Sequence, residues 1–211
     1  FSAPELGAVA IQAAVQRAGI DPEVVDEVLM GNVVLAGQGQ APARQAGIKA
    51  GLPATVGAAT VNKICGSGLK TVMLADAMIR AGNGDIYVAG GMESMNNGPY
   101  LLQKARFGYR LGNGQLVDAM VHDGLWCSFE DQHMGNAAEW VADEYDLTRA
   151  ELDAFAYQSH KKAVAAIDEG RFEEEIVPVE VPQRRGEPVL FEVDESPRRD
   201  TSIEALARLK P

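Results

Sequence analysis

Cys65 is the residue best placed for covalent chemistry. It lies in the segment VNKICGSGLK, residues 61–70, where an apolar run ends and a predicted helix begins. A thiol at a helix N-terminus faces unpaired backbone N–H groups and the positive end of the helix dipole, which favour the nucleophilic thiolate. The position indicates acyl-transfer chemistry. The alternative, taken from the residues alone, is a small buried hydrophobe before a helix.

The glycines near Cys65 have two interpretations each. Gly66 and Gly68 either leave room for a substrate or allow tight packing of a helix on a strand. Gly90 and Gly91 follow an apolar strand pattern, where they form a turn or let a ligand pass the backbone closely. Neither pair forms a dinucleotide-binding or Walker pattern, so no nucleotide-binding fold is predicted.

The remaining candidate side chains carry weaker signals. His133 stands at a predicted loop-to-helix junction, where a surface or capping histidine is more common than a catalytic base. His122 and His160 have even less support as catalytic bases. Cys127 has no helix-start setting and is interpreted as structural or incidental.

Composition narrows the class of protein. The 211 residues are 46% hydrophobic, enough for a real core, and carry a formal net charge of -11. That charge argues against a nucleic-acid or anionic-membrane binder, although the pair Arg198-Arg199 could face a phosphate. Two separated cysteines and three scattered histidines form neither a disulfide framework nor a zinc spacing, which favours the cytoplasm. No apolar run approaches the roughly 18 residues of a membrane span.

The first 95 residues predict a layered α/β domain, because helical and strand patterns alternate. The predicted helix at 66–81 is apolar on more than one face and is expected to be buried. The strand at 85–89 is expected to be covered on both faces. The predicted helices span 4–18, 22–25, 42–50 and 66–81, and the predicted strands 28–34, 58–64 and 85–89.

The pattern changes after Met95. Residues 106–114 are predicted to form a protruding hairpin or loop. A capping box at Thr148 and Glu151 predicts the start of a helix that ends near Asp168. Further helices are predicted at 134–145 and 201–209, with strands at 175–181 and 189–193.

Four segments together resemble the thiolase family. NKICGSGLK at 62–70 is similar to its nucleophile motif, GGMESMN at 90–96 to its second signature, and QHMG at 132–135 to its substrate-loop motif; QGQAPARQ at 38–45 also fits. The resemblance implies a thiolase-like layered α/β domain at 1–95 without its first strand. An inserted α+β loop domain that binds coenzyme A (CoA) would occupy 96–211, with the C-terminal thiolase domain absent.

The resemblance implies ping-pong acyl transfer through an acyl-cysteine at Cys65. The His-Met-Gly form of the loop motif favours acetyl-CoA C-acetyltransferase, with CoA thioesters as substrates and no cofactor. A longer-chain 3-ketoacyl-CoA thiolase of β-oxidation is the alternative in the same class. A non-catalytic CoA-binding or assembly protein is the alternative in another class. A condensing enzyme that uses acyl carrier protein is disfavoured by the loop motif and by the long insertion after Met95.

The resemblance also implies binding residues and partners. Leu125, His133 and Met134 would line the pantetheine and acyl end of the substrate, and Arg198 would lie near its nucleotide. Ala205 replaces a serine with which some relatives contact CoA. The segment 101–116 resembles the loop through which tetrameric thiolases assemble, so a homo-oligomer, dimer or tetramer, is expected.

The second half of the family pattern is missing. That half supplies an Asn-Glu-Ala-Phe motif, a Gly-His-Pro motif whose histidine activates the nucleophile, and a second catalytic cysteine. Residues 1–211 contain neither motif, and Cys127 does not match the second cysteine. We therefore expect a piece of a longer protein that has little activity alone and exposes apolar faces when isolated.

Overall fold

The structure is a computed structural model that describes residues 1–210. Two compact units are present, Phe1–His133 and the residues from Met134 onward. The boundary between the two compact units, after His133, thus differs from the predicted family-domain boundary after Met95. That boundary concerns the domains of the family and stays a prediction.

A three-stranded parallel sheet forms the centre of the first unit. Strand β1 (Glu27–Gly31) lies between β2 (Gly57–Val61) and β3 (Tyr87–Gly91). Residues 28–30 of β1 are buried on both faces of the sheet, as a central parallel strand requires. The predicted layered α/β architecture is confirmed.

Helices cover both faces of this sheet. Val28 packs against Gly47 of helix α2 (Pro42–Lys49), whereas Gly31 packs against the start of helix α3 (Ser67–Arg80). Since side chains alternate along a strand, these two positions lie on opposite faces. Helix α1 (Ala3–Ala18) packs beside α2 and completes the main core. The buried apolar residues of that core include Ala3, Ile11, Val15, Val28, Met30, Ala43, Ala46 and Met92.

Local sequence signals set the ends of these elements. Ser2 and Glu5 form a capping box at the start of α1, and Gly19 ends it at a φ of 64°. Asp21 accepts the N–H of Glu23 and begins the predicted short helix, here a 3₁₀ turn at Pro22–Val24. The predicted positions of these elements are confirmed.

The outer face of α3 corrects one prediction. Leu69 is 70% exposed and Met73 is 54% exposed, so the expectation of a buried helix is wrong for this chain. Only one side of α3 packs on the sheet; its buried residues are Ser67, Thr71 and Ala75. Strand β3 is half-buried rather than enclosed, because it is an edge strand of the sheet.

Short paired segments complete the first unit. The antiparallel pair β4 (Tyr100–Leu101) and β5 (Val117–Asp118) closes an excursion of the chain in which residues 102–116 are all exposed. A π-helix at Val121–Leu125 then leads into the pair β6 (Trp126–Cys127) and β7 (Gln132–His133). The predicted protruding loop at 106–114 is confirmed.

In its described residues, 134–210, the second unit contains three helices and a two-stranded antiparallel sheet. The capping box at Thr148 and Glu151 begins helix α5, as predicted. Arg149 pairs with the buried Asp153 at 2.8 Å and donates to the Leu206 carbonyl at 2.6 Å, which joins α5 to the end of α6. The elements are α4 (Met134–Glu144), α5 (Arg149–Asp168), β8 (Val179–Val181), β9 (Val189–Phe191) and α6 (Ile203–Leu206).

No helix in the part of the chain that the structure describes is long and apolar enough to cross a membrane.

Candidate active site

The carboxyl ends of the three parallel strands meet at one edge of the sheet. Gly31 of β1 is in register with Val61 of β2 and with Gly91 of β3. Asn32, Cys65 and Glu93 follow these strands and therefore converge at this edge. Ligands of open parallel sheets commonly bind outside the carboxyl ends of the strands.

A tight turn presents Cys65 between β2 and α3. The Asn62 Oδ1 accepts the Ile64 N–H at 3.0 Å, and the Ser67 hydroxyl accepts the Lys63 N–H at 2.8 Å. The same hydroxyl donates to the Ile64 carbonyl at 2.6 Å. Ile64 itself has a φ of 48°, which is rare for a β-branched residue and requires a well-supported turn. Cys65 is exposed at the top of this turn.

The start of α3 differs from the expected arrangement. The helix begins at Ser67, so Cys65 precedes the capping residue Gly66. The N–H groups of Gly66 and Ser67 donate to the Lys63 and Ile64 carbonyls at 3.1 and 3.0 Å. These two N–H groups are therefore used within the turn, and the expectation that Cys65 faces several unpaired N–H groups is only partly met.

The glycines beside Cys65 serve close packing. A Cβ on Gly31 would lie 2.6 Å from the Gly68 nitrogen, and one on Gly91 would lie 3.3 Å from the Gly68 Cα. The helix start can rest on the strand ends only because these positions have no side chain. Of the two interpretations offered for Gly68, tight packing describes what it does; Gly91 shares this packing, which neither interpretation of Gly91 included.

A cavity of about 400 Å³ opens beside Cys65. Cys65 and the predicted binding residue Leu125 both line it, so the structure brings these two together. The other side chains around it are largely apolar, which suits an acyl group rather than a charged ligand. The remaining lining residues are Gly31, Asn32, Val33, Val34, Ile64, Ser67, Gly68, Gly91, Met92, Glu93, Met95, Met120 and Gly124.

Asn32 and Glu93 are lining residues to which the sequence interpretation assigned no role. The Asn32 Nδ2 donates to a Glu93 carboxylate oxygen at 2.7 Å, and the Val33 N–H donates to the other oxygen at 2.8 Å. The sequence patterns hid them, because Asn32 falls inside the predicted strand 28–34 and Glu93 lies four residues beyond the predicted strand 85–89. Their places just after β1 and β3, at the edge where ligands of parallel sheets bind, became clear only from the observed strand ends.

The other predicted binding residues lie elsewhere. His133 ends β7 opposite Trp126 and does not line the Cys65 cavity. Met134 is an exposed residue at the start of α4, in the second unit. Arg198 also belongs to the second unit. Cys127 lies on β6, pairs with Gln132 of β7, and does not line the cavity.

Arg198 and its neighbour Arg199 have different surroundings. Arg199 forms an ion pair with Asp168 at 2.7 Å; the hydrogen bond in that pair lowers the pKa of Asp168 and raises that of Arg199. The Arg198 backbone N–H donates to His160 Nδ1 at 3.1 Å. Within residues 1–210 the Arg198 guanidinium has no hydrogen-bond or ion-pair partner and is open to solvent. Of the two arginines, Arg198 is therefore the one available to an anion.

Proteins of similar sequence have descriptions that agree with the family indicated by the motifs. An acetyl-CoA acetyltransferase of Pseudomonas aeruginosa is 55% identical over 209 residues, which cover 99% of this chain and 53% of that protein. A Staphylococcus aureus protein described as a probable acetyl-CoA acyltransferase is 50% identical over 207 residues, covering 98% of this chain and 53% of its own.

A solved structure shows the same fold. The crystal structure of the Bacillus anthracis acetyl-CoA acetyltransferase superposes with a TM-score of 0.95 at 38% sequence identity, over 100% of this chain and 53% of that one. The chain thus spans about half the length of the relatives it matches. The family description "Thiolase, N-terminal domain" matches residues 1–211. With this match over the whole chain, and with the Cys65 turn and the strand edge described above, the chain belongs to the thiolase family.

Proposed function

We propose that this chain carries the nucleophilic cysteine and part of the substrate site of an acetyl-CoA C-acetyltransferase. The observation that supports this most directly is the placement of Cys65 and Leu125 on one largely apolar cavity at the carboxyl edge of the sheet. The 55% identity to an acetyl-CoA acetyltransferase supports the same activity.

The proposed reaction has two transfers. In the first, the Cys65 sulfur attacks the thioester carbonyl of acetyl-CoA, a new C–S bond forms, and the bond to CoA breaks. The Cys65 proton leaves with the departing CoA thiol. In the second, a second acetyl-CoA loses a methyl proton to a base, its carbon forms a C–C bond with the carbonyl of the acetyl-cysteine, and the C–S bond to Cys65 breaks. Acetoacetyl-CoA forms and Cys65 regains a proton; thiolysis is the reverse.

Several residues of this chain would bind the substrate. The Cys65 backbone N–H would stabilise the oxyanion of the thioester. Leu125, His133 and Met134 would contact the pantetheine and acyl end. The unpaired guanidinium of Arg198 suits a phosphate of the nucleotide end. No cofactor is proposed besides the CoA thioesters that react.

Catalysis would also need groups from elsewhere in the polypeptide. Relatives are about twice as long as this chain. By the family resemblance the further region supplies the histidine that takes the Cys65 proton and a second acid/base cysteine. The exposed apolar residues of α3, Leu69 and Met73 among them, would be covered by that region.

We further propose a cytoplasmic homo-oligomer, dimer or tetramer, with a role in lipid metabolism. The segment 101–116 would form the contact between subunits. Phe107 is 85% exposed and Leu111 is 99% exposed on this excursion, and large exposed apolar side chains are typical of surfaces that associate.

A longer-chain acyl-CoA thiolase is the second candidate. The 50% identity to a protein described as a probable acetyl-CoA acyltransferase favours it. Turnover of acetoacetyl-CoA and of longer 3-ketoacyl-CoAs by the natural full-length polypeptide separates the two candidates.

Intact-mass measurement tests the proposed nucleophile. The natural full-length polypeptide is incubated with acetyl-CoA, and we expect one acetyl group on Cys65. The Cys127→Ser variant is the matched control and should still be acetylated, whereas Cys65→Ser should not. Equal acetylation of Cys65→Ser, or no adduct on the unaltered protein, rejects the proposal.

A further inference from the structure

Glu93 binds three donors from one short segment. Its two carboxylate oxygens accept hydrogen bonds from Asn32 Nδ2 at 2.7 Å, the Val33 N–H at 2.8 Å and the Val34 N–H at 3.3 Å. The donors come from the segment 32–34 that follows β1, whereas Glu93 follows β3. A carboxylate that accepts adjacent backbone N–H groups forms strong hydrogen bonds, so Glu93 holds this segment in place.

Asn32 makes the arrangement rigid. It is only 1% exposed, its side chain also donates to the Met92 carbonyl at 3.2 Å, and its backbone N–H donates to the Val61 carbonyl at 3.0 Å. Both acceptors of Nδ2 are oxygens, so rotation of the amide would place oxygen against oxygen. The segment after β1 is therefore tied to both neighbouring strands.

The segment that Glu93 holds forms part of the wall of the cavity. Val33 and Val34 line the same cavity as Cys65. A methyl group of each lies 3.9 Å from the point where a Cβ on Gly124, the neighbour of Leu125, would stand. If the segment moved, the valine side chains would move toward or away from the space beside Cys65. The size of that space thus depends on the hydrogen bonds to Glu93.

We propose that Glu93 is a positioning residue that determines which acyl groups fit beside Cys65, by holding Val33 and Val34 in the cavity wall. The inference extends the proposed function, since acyl groups are its ligands. Glu93 itself touches no reacting atom in this proposal. A Glu93→Gln side chain has the same shape but turns an NH₂ group toward donors, which releases the segment and widens the cavity.

A chemical probe tests the wall independently of enzyme activity. The natural full-length polypeptide, in a Cys127→Ser background, is alkylated by iodoacetamide and by the bulkier N-benzylmaleimide, and modification of Cys65 is followed by peptide mass spectrometry. We expect Glu93→Gln to raise the rate with the bulky reagent relative to the small one by about threefold or more, as a less selective pocket would. Glu5→Gln is the matched control, because Glu5 accepts similar hydrogen bonds from Ser2 at the start of α1. An unchanged ratio in Glu93→Gln, or an equal change in Glu5→Gln, overturns the proposal.

Substrate choice gives a second test. The ratio of kcat/KM for acetoacetyl-CoA to that for a six-carbon 3-ketoacyl-CoA should fall roughly tenfold in Glu93→Gln. A loss of folded enzyme would lower kcat/KM for both substrates equally and leave their ratio unchanged. An unchanged ratio would therefore contradict the positioning role. If Glu93→Gln fails to fold, Glu93→Asp takes its place, since it keeps the charge but shortens the reach. Absence of acyl transfer in the unaltered protein would reject the proposed function, while the alkylation ratio would still decide the role of Glu93.

Discussion

Gly31 and Gly68 approach so closely that a Cβ on Gly31 would lie 2.6 Å from the Gly68 backbone nitrogen. Gly31 ends the central strand, and Gly68 lies in the first turn of the helix that follows Cys65. The position of the turn that presents Cys65 therefore depends on a contact between two backbones.

Gly31→Ala should displace the start of α3. The added methyl meets backbone atoms, which cannot rotate away, so we expect a loss of about 1–3 kcal/mol in the free energy of unfolding. Urea denaturation measures this loss, and alkylation of Cys65 should slow as the turn moves. Gly90→Ala is the matched control on the adjacent strand, because its Cβ would meet only the Met30 side chain, with Sδ at 3.6 Å and Cε at 3.9 Å. Equal stability of the two variants would refute the role of the backbone contact.

Because of Asp26, the free energy of unfolding should depend on pH in the acid range. Its carboxylate accepts the N–H groups of Asp85 and Ile86 at 2.7 and 2.9 Å, and these bonds, the one from Ile86 first, lower the pKa of Asp26. Because the pKa of Asp26 is lower in the folded state than in the unfolded state, the ionised carboxylate stabilises the fold. This stabilisation is fully present above the pKa of the unfolded state, near 4, and is lost as the pH falls through the pKa of the folded state.

The Asp26→Asn variant tests this dependence. We expect it to be less stable than the unaltered protein at pH 7, with a difference that shrinks as the pH falls below about 4. Urea denaturation at pH 7 and at pH 3 measures both differences. Asp76→Asn, at an exposed ion pair with Arg80, should show a much smaller effect at pH 7. A difference for Asp26→Asn that stays constant over this range would contradict the prediction.

Arg198 and Arg199 should differ in their effect on substrate binding. Because the Arg198 guanidinium is unpaired among residues 1–210, Arg198→Ala should raise the KM for acetoacetyl-CoA roughly tenfold with little change in kcat. Arg199→Ala loses the ion pair with Asp168 instead and should leave KM nearly unchanged. With an acetoacetyl-pantetheine substrate, which lacks the nucleotide, the effect of Arg198→Ala should disappear. Its persistence would place Arg198 away from the nucleotide.

The exposed face of α3 should make the isolated chain of residues 1–211 associate. Leu69 and Met73 are largely exposed on this face. We expect the isolated chain to bind an apolar dye and to sediment as more than a monomer. Met73→Lys should weaken both properties, whereas Met73→Leu should not. A monomer that binds no dye would argue against an uncovered interaction face.

Local signals in the sequence were sufficient to place most elements. The capping residues Ser2 and Thr148 and the terminator Gly19 act within one turn of a helix, so their effect can be recognised without knowledge of the rest of the chain. The turn that presents Cys65 was not predicted: the pattern predicts a strand through Ile64, whereas β2 ends at Val61 and the Asn62 and Ser67 side chains hold the following residues in a turn. The burial of α3 could not be predicted, because apolar periodicity does not show whether a covering surface is present in the same chain.

By itself, the sequence determined that a cysteine follows a strand and precedes a helix, and through its motifs it indicated a thiolase. Only the tertiary structure decided which residues surround that cysteine. The strand order β2-β1-β3 brings Asn32, Cys65 and Glu93 to one edge of the sheet, although they follow three different strands. Strand order depends on pairing and burial between distant segments, and no local propensity encodes it. The wall of the cavity and the role proposed for Glu93 arise from that order.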